Sequence, residues 1–596
     1  MGATKDILVI LAVVSLMVSS TAAWYMGEIE TDEHHPYVVH FIDTGFIVTQ
    51  SSWVYVGNAK LVLTLTLLNN STTTKSTPIE IIPLDHDGNV IQSGGEDLTQ
   101  YDYTEDINPG NYFSEEYTFH KSGIRTELNV FQIILSGEGS TVIPGDRLSV
   151  VNIEEDIYTS GGGTTLPVKS MIGYVSHTID RYEYPKYRYY DTAWSDEIQL
   201  PTPAHSDVRE VRMDFCPISS RNDEAIMVAL TYDGYLEAYV YNGFSWSAPT
   251  RIAILWTNWQ TSKSRPYDIA YEKTSGNAMV LYDNSLNNNG YQELAYKIWD
   301  GTSWSQEQYL DDPKDDWPAG IKYRWIKLAA DPTPGSNKIG FIGMDSGWWE
   351  YSLSMWDGDD WGDWKRVGNV VDYINSESLD LAWEYTSGTC LAVMSRSMRV
   401  LYYTWDGSWS SRQSFRMNGD WWNWNWLSLK PHNVEGSDRM MLLGLDTTGT
   451  VTAVDWDGTS WNGKGVILDN NMETSDTRCI NGDWEPTGTK FLVAGGDRNK
   501  NQLSYKTWTP STGWSHSQNN WATYSSGYDE TQGWMQVKTN PKGDDPMITV
   551  AWKQNKGAKP PIIVAEWDGS MMKNSVEVTP RSHSDSEGFE VAYSWR

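Results

Sequence analysis

One stretch recurs along this chain and limits what it can fold into: Trp299-Asp300-Gly301-Thr302-Ser303-Trp304. It returns as Trp356-Asp357-Gly358, Trp405-Asp406-Gly407-Ser408-Trp409 and Trp456-Asp457-Gly458-Thr459-Ser460-Trp461. Weaker copies stand at Tyr190-Asp191, Tyr241-Asn242-Gly243, Trp508-Thr509 and Trp567-Asp568-Gly569. The turn residues follow one another at intervals of about 49 to 59 residues, the period of propeller blades.

Each unit reads as short strands. Leu294–Trp299 is aromatic and β-branched, which suits a half-buried strand. Asp-Gly then makes a tight hairpin, because glycine takes positive φ without steric cost and Asp tolerates it. The second Trp opens the return strand and can pack on the neighbouring unit. Earlier in the unit, Tyr267–Tyr271 and Ala278–Tyr282 flank a Thr274-Ser275-Gly276 turn, a layout repeated at Leu379–Trp383, Thr386-Ser387-Gly388 and Leu391–Met394. Four strands per roughly 54 residues make one blade. The last residues, Phe589–Trp595, read as an opening strand that completes the first blade and closes the ring, which removes exposed sheet edges. The count predicts eight blades over 168–596, with seven the rival.

The chain before the repeats is different. Ile7–Val18 is almost continuously apolar and is followed by Ser19-Ser20-Thr21-Ala22-Ala23. A secretory signal cleaved after Ala22 or Ala23 and a membrane anchor are two readings of it. From 31 to 157 the pattern becomes alternating strands: Lys60–Leu68, Pro78–Leu84, Tyr112–His120, Leu128–Leu135 and Arg147–Ile153. Gly161-Gly162-Gly163 marks a linker over 158–167. The expected chain is thus mainly β: an N-terminal hydrophobic α-helix over 1–30, a β-sandwich over 31–157, the linker, then the propeller.

A hydrophobic helix with an acidic residue near its start, Asp6, followed by one β-sandwich resembles archaellins and archaeal type IV pilins. That resemblance covers about the first 155 residues and rests on architecture, since no processing site precedes the apolar run and position five is Lys. It implies a homopolymer built through N-terminal helices, with Ile7, Leu8, Ile10, Leu11, Val14, Leu16 and Met17 in a filament core and Asp6 at a terminal contact. The propeller would then project outward from a cell-surface filament.

A net charge of −33 argues against nucleic-acid and anionic-membrane partners. Cys216, Cys390 and Cys479 match no metal-ligand spacing and read as buried thiols. No metal or cofactor is expected. Asn69 and Asn70 form overlapping sequons, which makes them candidate glycosylation sites in a secreted context. The repeats are somewhat similar to the Asp-box turns of sialidases, but the full pattern is missing. The arginines read as scattered (Arg251, Arg265, Arg324, Arg366, Arg399), without three on equivalent strands. The recurrence of each turn Asp gives it a structural role, and no catalytic residue is expected.

The surplus of aromatics, with 32 Trp in the chain, exceeds what blades need and suits sugar rings. Candidate glycan contacts are Trp348, Trp349, Trp361, Trp364, Trp421, Trp422, Trp424 and Trp426. The sequence reading is therefore a non-enzymatic extracellular filament subunit with a propeller for decoration or adhesion. The alternatives are a secreted or membrane-anchored carbohydrate-binding propeller lectin and a sialidase-like hydrolase.

Overall fold

The computed structural model describes most of 168–595, apart from 177–183, 202, 204–206, 256–262, 285–292, 311–321, 369–374, 419–422, 433, 435, 474–475, 531, 544–546, 555–559 and 583–585. In the first 165 residues it describes mainly strands between Tyr25 and Leu135. The chain divides into two compact units, Met1–Thr165 and Leu166–Arg596.

Among the described residues the first unit contains two four-stranded antiparallel sheets and a short pair, Gln92–Ser93 with Glu96–Asp97. Tyr25–Glu28, Leu128–Leu135, Pro78–Asp85 and Gln100–Tyr103 form one, and Val39–Phe41, Phe46–Val56, Lys60–Asn69 and Tyr112–His120 form the other. Tyr25–Glu28, expected at the end of a helix, is instead a strand paired with Val130–Ile133. The cross-strand pairing supplies its backbone hydrogen-bond partners, which a tertiary contact can do against local helix propensity. Asp6, Ile7, Leu8, Ile10, Leu11, Val14, Leu16 and Met17 lie outside the described residues, as do Arg147–Ile153 and the glycine linker. Of the predicted sandwich the structure describes the two sheets and a few side chains, with Ile79 and Ile81 of one sheet and Tyr117 and Phe119 of the other buried. Among the described residues no helix is long and apolar enough to cross a membrane.

The second unit is an eight-bladed β-propeller. Blade 1 takes its innermost strand from the C-terminus: Phe589–Tyr593 pairs with Ser170–Val175, which continues through Pro185–Tyr190 to Ile198–Gln199. The innermost strands of blades 2 to 8 are Val208–Phe215, Tyr267–Tyr271, Tyr323–Ala330, Leu379–Trp383, Trp424–Pro431, Ile480–Trp484 and Gln532–Thr539. Each touches the next, and the last touches Phe589–Tyr593, so the ring closes as the sequence predicts.

The repeated turns are built as expected. Asp300 Oδ1 accepts the backbone N–H groups of Thr302 and Ser303 at 2.7 Å, and Asp357, Asp457 and Asp568 do the same in their own turns. Gly358 and Gly458 have φ of 108° and 97°, and a Cβ on either would sit 3.0 Å from the Cβ of Asn337 or Asp438. Only glycine fits there. The second Trp of a repeat bridges the first, as in Trp456↔Trp461, and both pack edge-on against Tyr402 of the preceding blade at 5.9 Å.

Blades also associate in pairs, through the first Trp of the repeat. Trp356 Nε1 donates to Glu272 of blade 3 at 2.6 Å, Trp456 to Glu384 of blade 5 at 2.6 Å, and Trp567 to Glu485 of blade 7 at 2.9 Å. Each glutamate closes an innermost strand, and its second oxygen accepts a hydroxyl from the following turn, from Ser275, Ser387 or Thr489. That turn also leans on the next blade: Thr386 and Ser387 N–H both bond Asp438. Within a pair the innermost strands meet directly, Leu427 N–H bonding Glu377 O and Met535 N–H bonding Arg478 O.

A hydrogen bond to a buried charged group contributes about 1.5–3 kcal/mol. Trp456→Phe should therefore lower unfolding free energy by at least about 1 kcal/mol, and less in a Glu384→Gln background. Denaturant unfolding of the four proteins measures the coupling. Additive losses would show that the indole–carboxylate bond does not hold the pair.

Candidate functional site

The innermost strands carry charge in a fixed order around the axis. Counting back from the residue that closes each strand, blades 1 to 5 place Glu590, Arg212, Asp268, Lys327 and Asp380 at the fourth position. Blades 6 to 8 place Ser428, Asn481 and Gln536 there and carry Lys430, Asp483 and Lys538 two residues later. The result is a ring of charges with alternating sign, Glu590, Arg212, Asp268, Lys327, Asp380, Lys430, Asp483 and Lys538, to which blade 2 adds Asp214 two residues after Arg212. Arg212 and Lys538 both pair with Glu590, Lys538 at 3.2 Å.

Burial and neighbours act against each other in this ring. Burial raises Asp268, Asp380 and Asp483 above the ordinary carboxylate range despite adjacent lysines. Burial lowers Lys430 to about 8. Burial would also raise Glu590, but Arg212, Lys538, Lys327 and Arg478 outweigh it and hold the carboxyl at about 2.

A second chain of ions lies where the innermost strands begin. Arg265 pairs with Glu377, Glu377 with Arg478 at 3.1 Å, Arg478 with Glu587 at 2.5 Å, and Glu587 with Arg212 at 3.6 Å. Between the two levels three tryptophans from alternate blades reach across the axis. Trp426 stands 5.8 Å from Trp325 and 5.4 Å from Trp534, and all three are buried. Rings from non-adjacent innermost strands can meet this way only over the axis, so they close it.

Above that plug is a cavity of about 350 Å³. Arg212, Asp268, Lys327, Lys538 and Glu590 line it, with Asp214 beside them. It exists because Ala270, Ala329 and Ala382 occupy the position that Lys430, Asp483 and Lys538 fill on the other side of the ring. Tyr271, Trp383 and Trp595 complete the wall, and Lys273 Nζ caps the Trp595 ring at 3.7 Å. Burial, Glu590 and Asp268 push Asp214 up to about 6, with Lys538 opposing.

The residues singled out in the sequence fall elsewhere. Trp361 packs against Tyr296, Phe341 and Trp356, and Trp364 against Phe341. Trp424 and Trp426 are buried, the latter in the axial plug. These four are spent on packing. Trp348 and Trp349 are exposed, and Trp421 and Trp422 lie outside the described residues. Asn69 is buried, with its amide donating to Thr73 O and Ile107 O at 2.9 and 2.7 Å, so the nitrogen that would carry a sugar faces inward. Asn70 lies outside the described residues. The three cysteines are buried free thiols, and no metal-binding cluster stands among the described residues.

Sequence reasoning missed the ring itself, and it also missed an arginine set. Arg209, Arg265, Arg324 and Arg478 occupy equivalent positions at the start of the innermost strands of blades 2, 3, 4 and 7, where the sequence reading assembled no three on equivalent strands. Arg209 donates to Ser264 O, and Arg265 N–H bonds Arg324 O at 2.8 Å. The signal was present as one Arg near the start of each of four strands, but Arg209 belongs to the strand whose boundaries the repeat marks least well.

No family model and no curated protein matches the chain. Among solved structures it is similar to the NanB sialidase of Streptococcus pneumoniae, at 10% identity and a TM-score of 0.32 over 94% of this chain and 93% of that one. A point mutant of the Aleuria aurantia lectin in complex with Fucalpha1-6GlcNAc matches at 12% identity and a TM-score of 0.30, over 54% and 97%. A mutant of AofleA from Arthrobotrys oligospora with three arginines replaced by alanine matches at 11% and 0.31, over 56% and 90%. Because these matches include an enzyme beside lectins, the expectation of a non-enzymatic chain is withdrawn.

Glu590→Gln leaves the buried Arg212 with Glu587 as its one remaining carboxylate partner and is expected to cost about 3 kcal/mol at pH 7. The folded value of Glu590 lies below the unfolded one, about 4.3, so its contribution is present above that pH and is lost as pH falls toward 2. Unfolding free energies of the two proteins should therefore converge across that window. A constant gap down to pH 2 would refute the assignment.

Proposed function

We propose that the propeller is a carbohydrate-binding module whose ligand seats in the axial cavity. The observation that carries this reading is the wall of a one-ended cavity that alternates hydrogen-bond donors with acceptors. A hydroxyl both donates and accepts, so a polyol satisfies Lys327 and Asp268 together, whereas a simple anion or cation meets one like charge for each opposite one. The volume lies at the small end of ligand pockets, which run from about 300 to 1,000 Å³, so one or two sugar rings fit. The aromatic wall supplies apolar faces for ring C–H groups.

The filament reading depends on residues outside those described, and nothing in the propeller supports it over carbohydrate binding. An extracellular or cell-surface setting accompanies the carbohydrate reading. A second reading, a hydrolase acting on acidic sugars, draws on Arg209 and Arg324, since guanidinium groups bind carboxylates; Arg265 beside them is already paired with Glu377. Release of the aglycone from an aryl glycoside of an acidic sugar, lost in Arg324→Ala, would establish it.

The primary test is an oligosaccharide array followed by calorimetric titration of the best saccharide. Lys327→Met, which removes one donor and no backbone contact, should weaken binding at least about tenfold, or about 1.4 kcal/mol. Unchanged affinity in a folded variant would exclude the cavity.

A further inference from the structure

The turn between the second and third strands of blade 4 carries a bulky residue at a position where blades 2, 5 and 6 carry a small one. In blades 2 and 6 a glycine stands one or two residues before the third strand, Gly234 or Gly449, with φ of 91° and 88°. Blade 4 places Trp349 there, two residues before Tyr351, with φ of 60°. A bulky residue in the left-handed region is strained, at a cost on the order of 1 kcal/mol or more. Trp349 recovers little by packing, since it is 43% exposed, and Trp348 beside it is 47% exposed.

The turn is nevertheless tightly built. Asp345, 1% exposed, accepts the backbone N–H groups of Gly347, Trp348 and Lys322, and Asp345 N–H bonds Glu350 O. Compared with Asp446–Thr450 of blade 6, where Asp446 N–H bonds Thr450 O, the blade 4 turn holds one more residue, which sets a second Trp next to the first. A fixed turn thus holds two large apolar side chains in water where blades 2 and 6 use glycine and blade 5 uses the small Ser397, with φ of 51°.

We infer that Trp348 and Trp349 form a second saccharide-binding platform, on the end of the propeller opposite the axial cavity. The position follows from strand direction: the cavity lies where innermost strands end, and this turn lies where they begin. The size of the patch decides the occupant. A stable protein partner requires about 800 Å² on each side. The other exposed large hydrophobics, Ile254, Met398, Val466, Tyr528 and Met571, belong to other blades or their connections. Two indoles match the C–H faces of one or two pyranose rings, and the Glu350–Arg366 pair beside them offers both an acceptor and a donor to ring hydroxyls. This inference rests on the carbohydrate reading, but it invokes none of the cavity residues.

The experiment uses the full chain, an array of neutral oligosaccharides of two to six residues, and calorimetric titration of the best one. Trp348→Ala and Trp349→Gly are compared with Lys327→Met. Trp349→Gly relieves the backbone, so its thermal midpoint should match or exceed that of the parent. Each Trp variant should lose at least about tenfold in affinity for the longer oligosaccharides, or one of two binding sites in the titration. Binding that Lys327→Met weakens and both Trp variants leave intact would overturn the platform and spare the cavity. Absence of saccharide binding by the parent protein would overturn both, and loss of self-association in the Trp variants in place of saccharide binding would reassign the pair to protein contact.

Discussion

The bond between a tryptophan indole and the glutamate of the preceding blade organises the propeller. It joins two groups that are each unfavourable to bury alone, a carboxylate and an N–H donor. Trp356–Glu272, Trp456–Glu384 and Trp567–Glu485 repeat it with the same hydroxyl on the second carboxylate oxygen. Because the glutamate ends an innermost strand and the tryptophan ends a third strand, one bond ties the centre of one blade to the outer half of the next. Neighbours of the opposite parity meet by other means, such as Trp383 to Ala329 O and Trp405 to Asp363. In blades 3 to 8 the repeating unit is a pair of blades.

That pairing explains the charge ring. If innermost strands alternate between two kinds, a charge on each kind alternates in sign around the circle, and every buried ion lies between two opposite ones. Burying ions without such neighbours would be prohibitive. The cost is low enough here that the axis can carry polar groups at two levels, with Trp325, Trp426 and Trp534 sealing it between them. The step of two residues between blades 5 and 6 leaves alanines along one side, and the cavity is the space those alanines leave.

Much of this was legible in residue order. The Asp-Gly turns, the strands around them and the return of the C-terminal strand to blade 1 depend on local φ preference and on the absence of free edges, both of which are written in sequence. The innermost strands of the other blades were less legible than those of blades 3 and 5, the two that a Thr-Ser-Gly turn follows. With Arg209 and Arg212 unplaced, the remaining charges looked irregular, and the two-residue offset concealed their alternation further. The aromatic clusters misled for a different reason: Trp424 and Trp426 look like surface tryptophans when read beside Trp421 and Trp422, yet they are buried.

The sequence by itself determined the class, the blade count and the turn chemistry, since each is set by residues within one repeat. Tertiary structure alone decided which charges face one another, which tryptophans are spent on packing and where a cavity opens. Those outcomes depend on contacts between residues about one hundred or more positions apart, such as Glu377 with Arg478 or Arg212 with Glu590. Such partners are chosen by the closure of the ring, and no local pattern records it.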